Sequence, residues 1–163
     1  MKNIIIICAV FTFFSCANLS EIKVQVKFDK KTFVEQRQLW KQANIKNYQY
    51  QLSAFGGISY YSGTIFVENN QIKKDLPSVE GTDIENFMDY STIDEIYKTI
   101  EERFNSYNNT KRSKKEVYYT EIIVEYDKAK HIPIDIIYRF YIPSDVVFDG
   151  TSHYKIAEFN KRD

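Results

Sequence analysis

Residues 48–55 alternate with a period of two. Tyr48, Tyr50, Leu52 and Ala54 are apolar or aromatic, and Gln49, Gln51 and Ser53 between them are polar. Successive side chains of a strand point to opposite faces, so this segment predicts a strand with one buried face and one open face. The pattern returns twice. Tyr118, Thr120, Ile122, Val124 and Tyr126 share one face of a strand over 117–126, and Ile132, Ile134, Ile136, Tyr138 and Phe140 share one face of another over 132–140. A sheet that is apolar on one side must be covered on that side, and helices are the usual cover.

Two helix starts are legible. Thr32 and Glu35 have the spacing of a capping box, in which the threonine oxygen accepts from a backbone N–H and the glutamate reaches back. The helix it predicts runs over 32–43, with Leu39, Trp40 and Ala43 on one face and Asn44 and Asn47 flanking its end. Thr92 and Glu95 repeat the box. After them Ile93, Ile96, Tyr97, Ile100, Phe104 and Tyr107 recur at helical spacing, an apolar stripe fit for a sheet face, until Asn108 and Asn109 end it.

Further strands are expected over 60–68, 71–76 and 154–159. Gly56 and Gly57 mark the first turn, and Asn69 and Asn70 suit the left-handed angles of a tight hairpin. Pro133 fits only a strand start or an edge. Segments 77–89 (acidic), 111–115 (basic), 127–131 and 144–150 read as connections. In residues 17–31, Val24, Val26 and Phe28 alternate with Lys23, Gln25 and Lys27, which suits either a first strand or a solvated leash. The order is helix, three strands, helix, three strands. It predicts one α+β domain over 32–163, an antiparallel sheet of about five to six strands with two helices packed on one face. At 163 residues the chain has the length of one domain with a real core.

Ahead of this domain lies a different kind of sequence. Lys2 is followed by an apolar run from Ile4 to Phe14 broken only by Thr12, then Ser15 and Cys16. A run of about 11 residues is too short for a membrane span, which needs roughly 20, and fits the apolar region of an export signal. The small residue before a cysteine reads as a lipoprotein signal over 1–15, with Cys16 as the lipidated residue and 16–31 as tether, so the expected first partner is a membrane of a bacterial cell envelope. Phe13 and Phe14 depart from the usual leucine and small residue. The alternatives are an ordinary secretory signal cut near Ser15 or Ala17, or an uncleaved anchor.

Composition narrows the chemistry. Lysine plus arginine number 22 and aspartate plus glutamate 22, so no basic footprint for nucleic acid exists. Thirteen tyrosines and twelve phenylalanines favour strands over disorder. Cys8 and Cys16 are the only cysteines. The expected domain therefore holds no disulfide, no thiolate metal site and no cysteine nucleophile. His131 and His153 lack zinc-ligand spacing, and the acidic residues Asp83, Glu85, Asp89, Asp94 and Glu95 lack the calcium-loop pattern, so no metal or cofactor is expected. No serine sits in a Gly-x-Ser-x-Gly elbow. Asp127 and Asp135 bracket the turn holding His131, a trio that could serve acid–base hydrolysis; local backbone bonding in a turn accounts for the same aspartates. Tyr48, Tyr50, Tyr60, Tyr61, Tyr118 and Tyr119 cluster on expected strands. The consecutive pairs must send one ring to each face, so some rings either meet solvent or lie under a helix.

Trp40; Ile45, Tyr48 and Tyr50; the stretch 63–72; Thr92 to Ile96; Glu125 to Asp127; and His131, Pro133, Asp149, Tyr154, Ile156 and Phe159 follow one another in order between Thr32 and Phe159. In these residues the chain resembles a group of small bacterial lipoproteins catalogued as domain of unknown function 6174. Members often carry Cys-x-Cys in the first hairpin and a Gly-Tyr-Pro turn. Here the hairpin reads Phe55, Gly56, Gly57, Ile58, Ser59, and the turn His131, Ile132, Pro133. The resemblance implies an exported, lipidated domain without an evident activity, and brings no site residues with it. The resulting expectation is a non-catalytic, membrane-anchored binding module with an envelope protein or glycan as partner. The rivals are an inhibitor of an exported enzyme inserting the loop near Gly56 and Gly57, and a hydrolase using Asp127, Asp135 and His131.

Overall fold

The computed structural model describes residues 22–23, 25–56, 59–73, 92–109, 111–112, 119–141 and 151–162. The expected export signal, Cys16, most of the tether, the acidic connection, Tyr118 and the connection at 144–150 lie outside the described residues.

Helix α1 spans Lys30–Ala43 and α2 spans Ile93–Asn109. The strands are β1 (Ile22–Lys23), β2 (Gln25–Lys27), β3 (Tyr48–Gly56), β4 (Ser59–Glu68), β5 (Gln71–Ile72), β6 (Lys111–Arg112), β7 (Tyr119–Asp127), β8 (Ile132–Tyr141) and β9 (Ser152–Lys161). Seven of them form one sheet in the order β2-β7-β8-β9-β3-β4-β5, and β1 pairs with β6 in a short ribbon. The α+β class stands as expected, but the sheet is larger than five to six strands. The additional strand is β2, which pairs with β7 in parallel, Gln25 against Tyr119 through Lys27 against Glu121; the other neighbouring pairs are antiparallel. The strand-or-leash alternative at 23–28 thus resolves to a strand at residues 25–27. Val26 and Phe28 pack on the core, and Lys27 Nζ lies 2.6 Å from Glu121. The expected basic loop likewise gives up Lys111 and Arg112 to β6.

Both helices lie on one face. Trp40 packs edge-on against Tyr48 and Phe159, at ring distances of 5.6 and 5.9 Å. Tyr97 stacks over Tyr126 at 6.4 Å, and Arg103 caps the Tyr138 ring at 4.2 Å. Tyr48, Tyr50, Leu52 and Ala54 are all buried on that face, and Gln49, Gln51 and Ser53 are half-buried on the other, so the period of two in β3 is obeyed throughout. The stripe of α2 is also obeyed: Ile93, Ile96, Tyr97 and Ile100 are buried, and Phe104 and Tyr107 pack at its border.

Local details correct the expected helix starts and faces. The cap of α1 is Asp29, whose carboxylate accepts from Thr32 N–H at 3.0 Å; Thr32 lies inside the helix. An aspartate three residues earlier, with a full negative charge at the positive helix end, outcompetes the threonine hydroxyl. The buried side of α1 is Phe33, Gln36 and Trp40, spaced i, i+3, i+7, which leaves Leu39 half-buried and Ala43 exposed in place of the expected face of Leu39, Trp40 and Ala43. The Thr92–Glu95 box forms in both directions, Glu95 N–H to Thr92 Oγ1 at 3.2 Å and Thr92 N–H to Glu95 Oε2 at 2.9 Å. Asn69 and Asn70 have φ of 52° and 61°, the mirror-image turn that two-residue hairpins favour. Pro133 is the second residue of β8, beside an irregularity between Glu125 and Tyr126 where Asp135 and Pro133 become the partners.

Candidate site on the open sheet face

No described helix covers the second face of the sheet, and that face is built by register. Tyr60 of β4 lies opposite Phe55 of β3, Phe55 opposite His153 of β9, His153 opposite Ile137 of β8, and Ile137 opposite Ile123 of β7. The five therefore form one row across five adjacent strands. At the usual strand spacing of about 4.8 Å the row is roughly 19 Å long. Its β4 end is aromatic and open: Phe55 is 42% exposed and Tyr60 54%, with ring centroids 4.8 Å apart. The His153 ring lies 5.7 Å from Phe55.

Polar groups flank the row. On one side Gln51 Nε2 donates to Ser62 Oγ at 3.2 Å, Thr64 Oγ1 donates to Gln51 Oε1 at 3.3 Å, and the Ser53 and Ser62 hydroxyls meet at 3.2 Å. Glu125, Asp135 and Lys155 continue that side by register. On the other side Glu121 is 6% exposed and is bridged by Lys27 at 2.6 Å and Arg139 at 3.5 Å. Burial of a carboxylate is tolerable here because two cations meet it.

The aspartate–histidine trio does not assemble. Asp127 closes its own turn, accepting from Ala129 N–H at 2.9 Å and Lys130 N–H at 3.1 Å. Slight burial pushes its carboxyl up, but those two N–H groups and the Lys130 ammonium together outweigh it and hold the carboxyl below the usual carboxylate range. His131 points to α1, where Nδ1 donates to Gln36 Oε1 at 3.1 Å, and its carbonyl accepts from the Tyr97 hydroxyl at 2.9 Å. Asp135 bonds instead to His153, Nε2 to Oδ1 at 2.7 Å, on the open face. A notch of about 250 Å³ beside His131 is bordered by Lys130 and Phe159 and includes neither aspartate. Another of about 280 Å³ at the β2 edge, between Asp29, Thr32 and Tyr126, includes no histidine. Among the described residues no group of three histidine, cysteine, aspartate or glutamate side chains could hold a metal ion.

Of the tyrosine cluster, Tyr48 and Tyr50 belong to the core and Tyr60 to the open face, while Tyr61 lies in register with Ala54 and Tyr119 with Gln25. The His153–Asp135 pair was not visible in sequence, since 18 residues separate the two and only the β8–β9 register joins them. Phe55 was not singled out from the sequence; its place beside Gly56 and Gly57, at the end of an alternating strand, is the signal that could have found it.

The described residues thus form an α+β layer with both helices on one face of the sheet and the Phe55–Tyr60 pair on the other. No described helix is long and apolar enough to cross a membrane. The chain belongs to the family of unknown function DUF6174, whose model matches residues 32–138. No curated protein and no solved structure matches it.

Proposed function

We propose that this protein is an exported, lipid-anchored binding module of the bacterial cell envelope, held through Cys16 and making its contacts with the open sheet face. The observation that carries the reading is the Phe55–Tyr60 pair, two large rings left 42% and 54% exposed on the β3–β4 pair while Trp40, Tyr48, Tyr50, Tyr97, Tyr138 and Phe159 pack in the core. Exposed rings on a fixed strand offer contact area at little entropic cost, and the adjoining amide and hydroxyl groups offer directed hydrogen bonds. The anchor rests on the order of charge, apolar run, small residue and cysteine at residues 2–16. Lipid chains on one cysteine each contribute about 0.8 kcal/mol per buried methylene, enough together for stable attachment.

The test is capture from the native envelope after crosslinking. Wild-type protein is expected to bring down a reproducible partner that Phe55→Ala and Tyr60→Ala both lose, and Cys16→Ala is expected to move the protein from the membrane to the soluble fraction. Membrane retention of Cys16→Ala overturns the anchor. Capture unchanged by either ring substitution overturns the open face as the contact surface, and a partner lost only on changing Gly56 and Gly57 favours an inhibitor that inserts the hairpin tip.

A further inference from the structure

We infer that the row Tyr60–Phe55–His153–Ile137–Ile123 is a binding site for an uncharged, linear saccharide chain lying across the strands. The inference rests on the binding-module reading above and specifies its ligand. Three features carry it.

The first is charge. Among the described residues, the row's flanks set three cations (Lys27, Arg139, Lys155) against three carboxylates (Glu121, Glu125, Asp135). Glu121 is bridged by two of those cations, and Asp135 is held by His153. A polyanion laid on the row would face Glu125 and a polycation would face Lys155, whereas a neutral ligand leaves the balance undisturbed. The second is the kind of polar group beside the exposed rings. Gln51, Ser53, Ser62 and Thr64 are uncharged donors and acceptors joined by bonds of 3.2–3.3 Å. Hydroxyls of a sugar can trade places with such bonds in kind, while the C–H face of a pyranose covers an aromatic ring. The third is dimension. Side chains in the row repeat at the strand spacing of about 4.8 Å, close to the length of one pyranose unit, so successive sugars meet successive strands. An extended peptide, at roughly 3.3 Å per residue, would drift out of step with the row within a few residues. His153 sits in the middle of the row with its Nε2 fixed by Asp135, which holds the imidazole plane against Phe55.

The experiment is calorimetric titration of the full chain in detergent with neutral oligosaccharides of about four to five units, the length of the row. Glucan, xylan, mannan and chitin fragments form the panel, alongside an acidic oligosaccharide as control. Binding of at least one neutral chain is expected at micromolar to millimolar affinity, with Phe55→Ala and Tyr60→Ala each weakening it tenfold or more. Both rings are substantially exposed, so folding should survive, and His153→Ala supplies a third variant inside the row. Circular dichroism of every variant separates lost binding from lost fold. No heat with any neutral chain, binding indifferent to all three substitutions, or preference for the acidic control that fades with salt each overturns the saccharide reading. A protein captured at Phe55 and Tyr60 from the envelope, with no sugar bound, overturns this inference while leaving the binding-module reading standing.

Discussion

Tyr48 and Tyr138 occupy equivalent depths and differ in one bond. The Tyr48 hydroxyl accepts from Ile93 N–H at 2.9 Å, one of the four amides that a helix start leaves without an internal partner. The hydroxyls of Tyr138 and Tyr126 have no hydrogen-bond partner among the described residues. Removing a satisfied buried oxygen strands its donor, while removing an unsatisfied one relieves a desolvation cost. Tyr48→Phe should therefore destabilise by about 1–2 kcal/mol, and Tyr138→Phe should be neutral or stabilising by up to about 1 kcal/mol, as read from urea midpoints. Burial raises the phenol pKa of Tyr48, Tyr97, Tyr126 and Tyr138 above its ordinary value. The folded chain thus holds these protons more tightly than the unfolded one, so their contribution is complete below pH of about 10 and is lost as pH rises further. Tyr138→Phe should accordingly flatten the alkaline fall in stability, and a midpoint that falls as steeply as the wild type's between about pH 10 and 12 would contradict the account. The burial of Tyr48 and Tyr138 was legible from the period of two and that of Tyr97 from the helical spacing of α2. The absence of a partner for one hydroxyl and its presence for another was not, because Ile93 is 45 residues from Tyr48 and the bond exists only through packing.

Among the elements, β9 carries a conformation that no sequence pattern announces. Its register against β3 shifts between Gln49 and Gln51, so Glu158 is an extra residue at φ 52°. A bulge of this kind favours glycine, since a β-carbon crowds the left-handed region by about 1–2 kcal/mol. Glu158→Gly is expected to stabilise by roughly 0.5–1 kcal/mol after the entropy of glycine in the unfolded chain is counted. Glu158→Val should destabilise by more than about 1 kcal/mol. Thermal denaturation of both variants checks the pair, and two equal melting temperatures would mean that the bulge is not formed. The bulge also returns Phe159 to the covered face, where it meets Trp40, while His153 and Lys155 stay on the open one. Elements with strong local signals, α2 with its two-way capping box and β3 with its strict alternation, were read nearly to the residue. Those set by distant partners were not. The cap of α1 moved to Asp29, and residues 25–27 became a strand only because β7 offered an edge.

At the scale of the whole molecule, the fold is closed at one side by a segment that local sequence left undecided. Phe28 follows β2 and packs against Phe33 of α1 at 5.3 Å and Phe104 of α2 at 5.1 Å, so one ring ties the edge strand to both helices. If residues 25–28 are part of the core, Phe28→Ala should cost about 2–3 kcal/mol, less than the loss of a fully buried phenylalanine because Phe28 is half-buried. A solvated leash would register within about 0.5 kcal/mol, and guanidinium unfolding distinguishes the two. The open face was half legible. Alternation showed that it exists and that it is polar around Gln49, Gln51 and Ser53, but the row from Tyr60 to Ile123 required the register of five strands, information spread over the whole chain. Strand β2 has a mechanical consequence as well. Eight residues, 17–24, lie between Cys16 and Gln25, a contour of at most roughly 30 Å. On the proposal that the chain is anchored at Cys16, the β2 edge is held on a short lead, with Tyr60 five strand spacings, about 24 Å, further across the sheet. With Cys16 as the anchor, the lead and the sheet together set a reach of at most some 50 Å from the point of attachment, and lengthening residues 17–21, ahead of β1, extends that radius while keeping the β1–β6 and β2–β7 pairs.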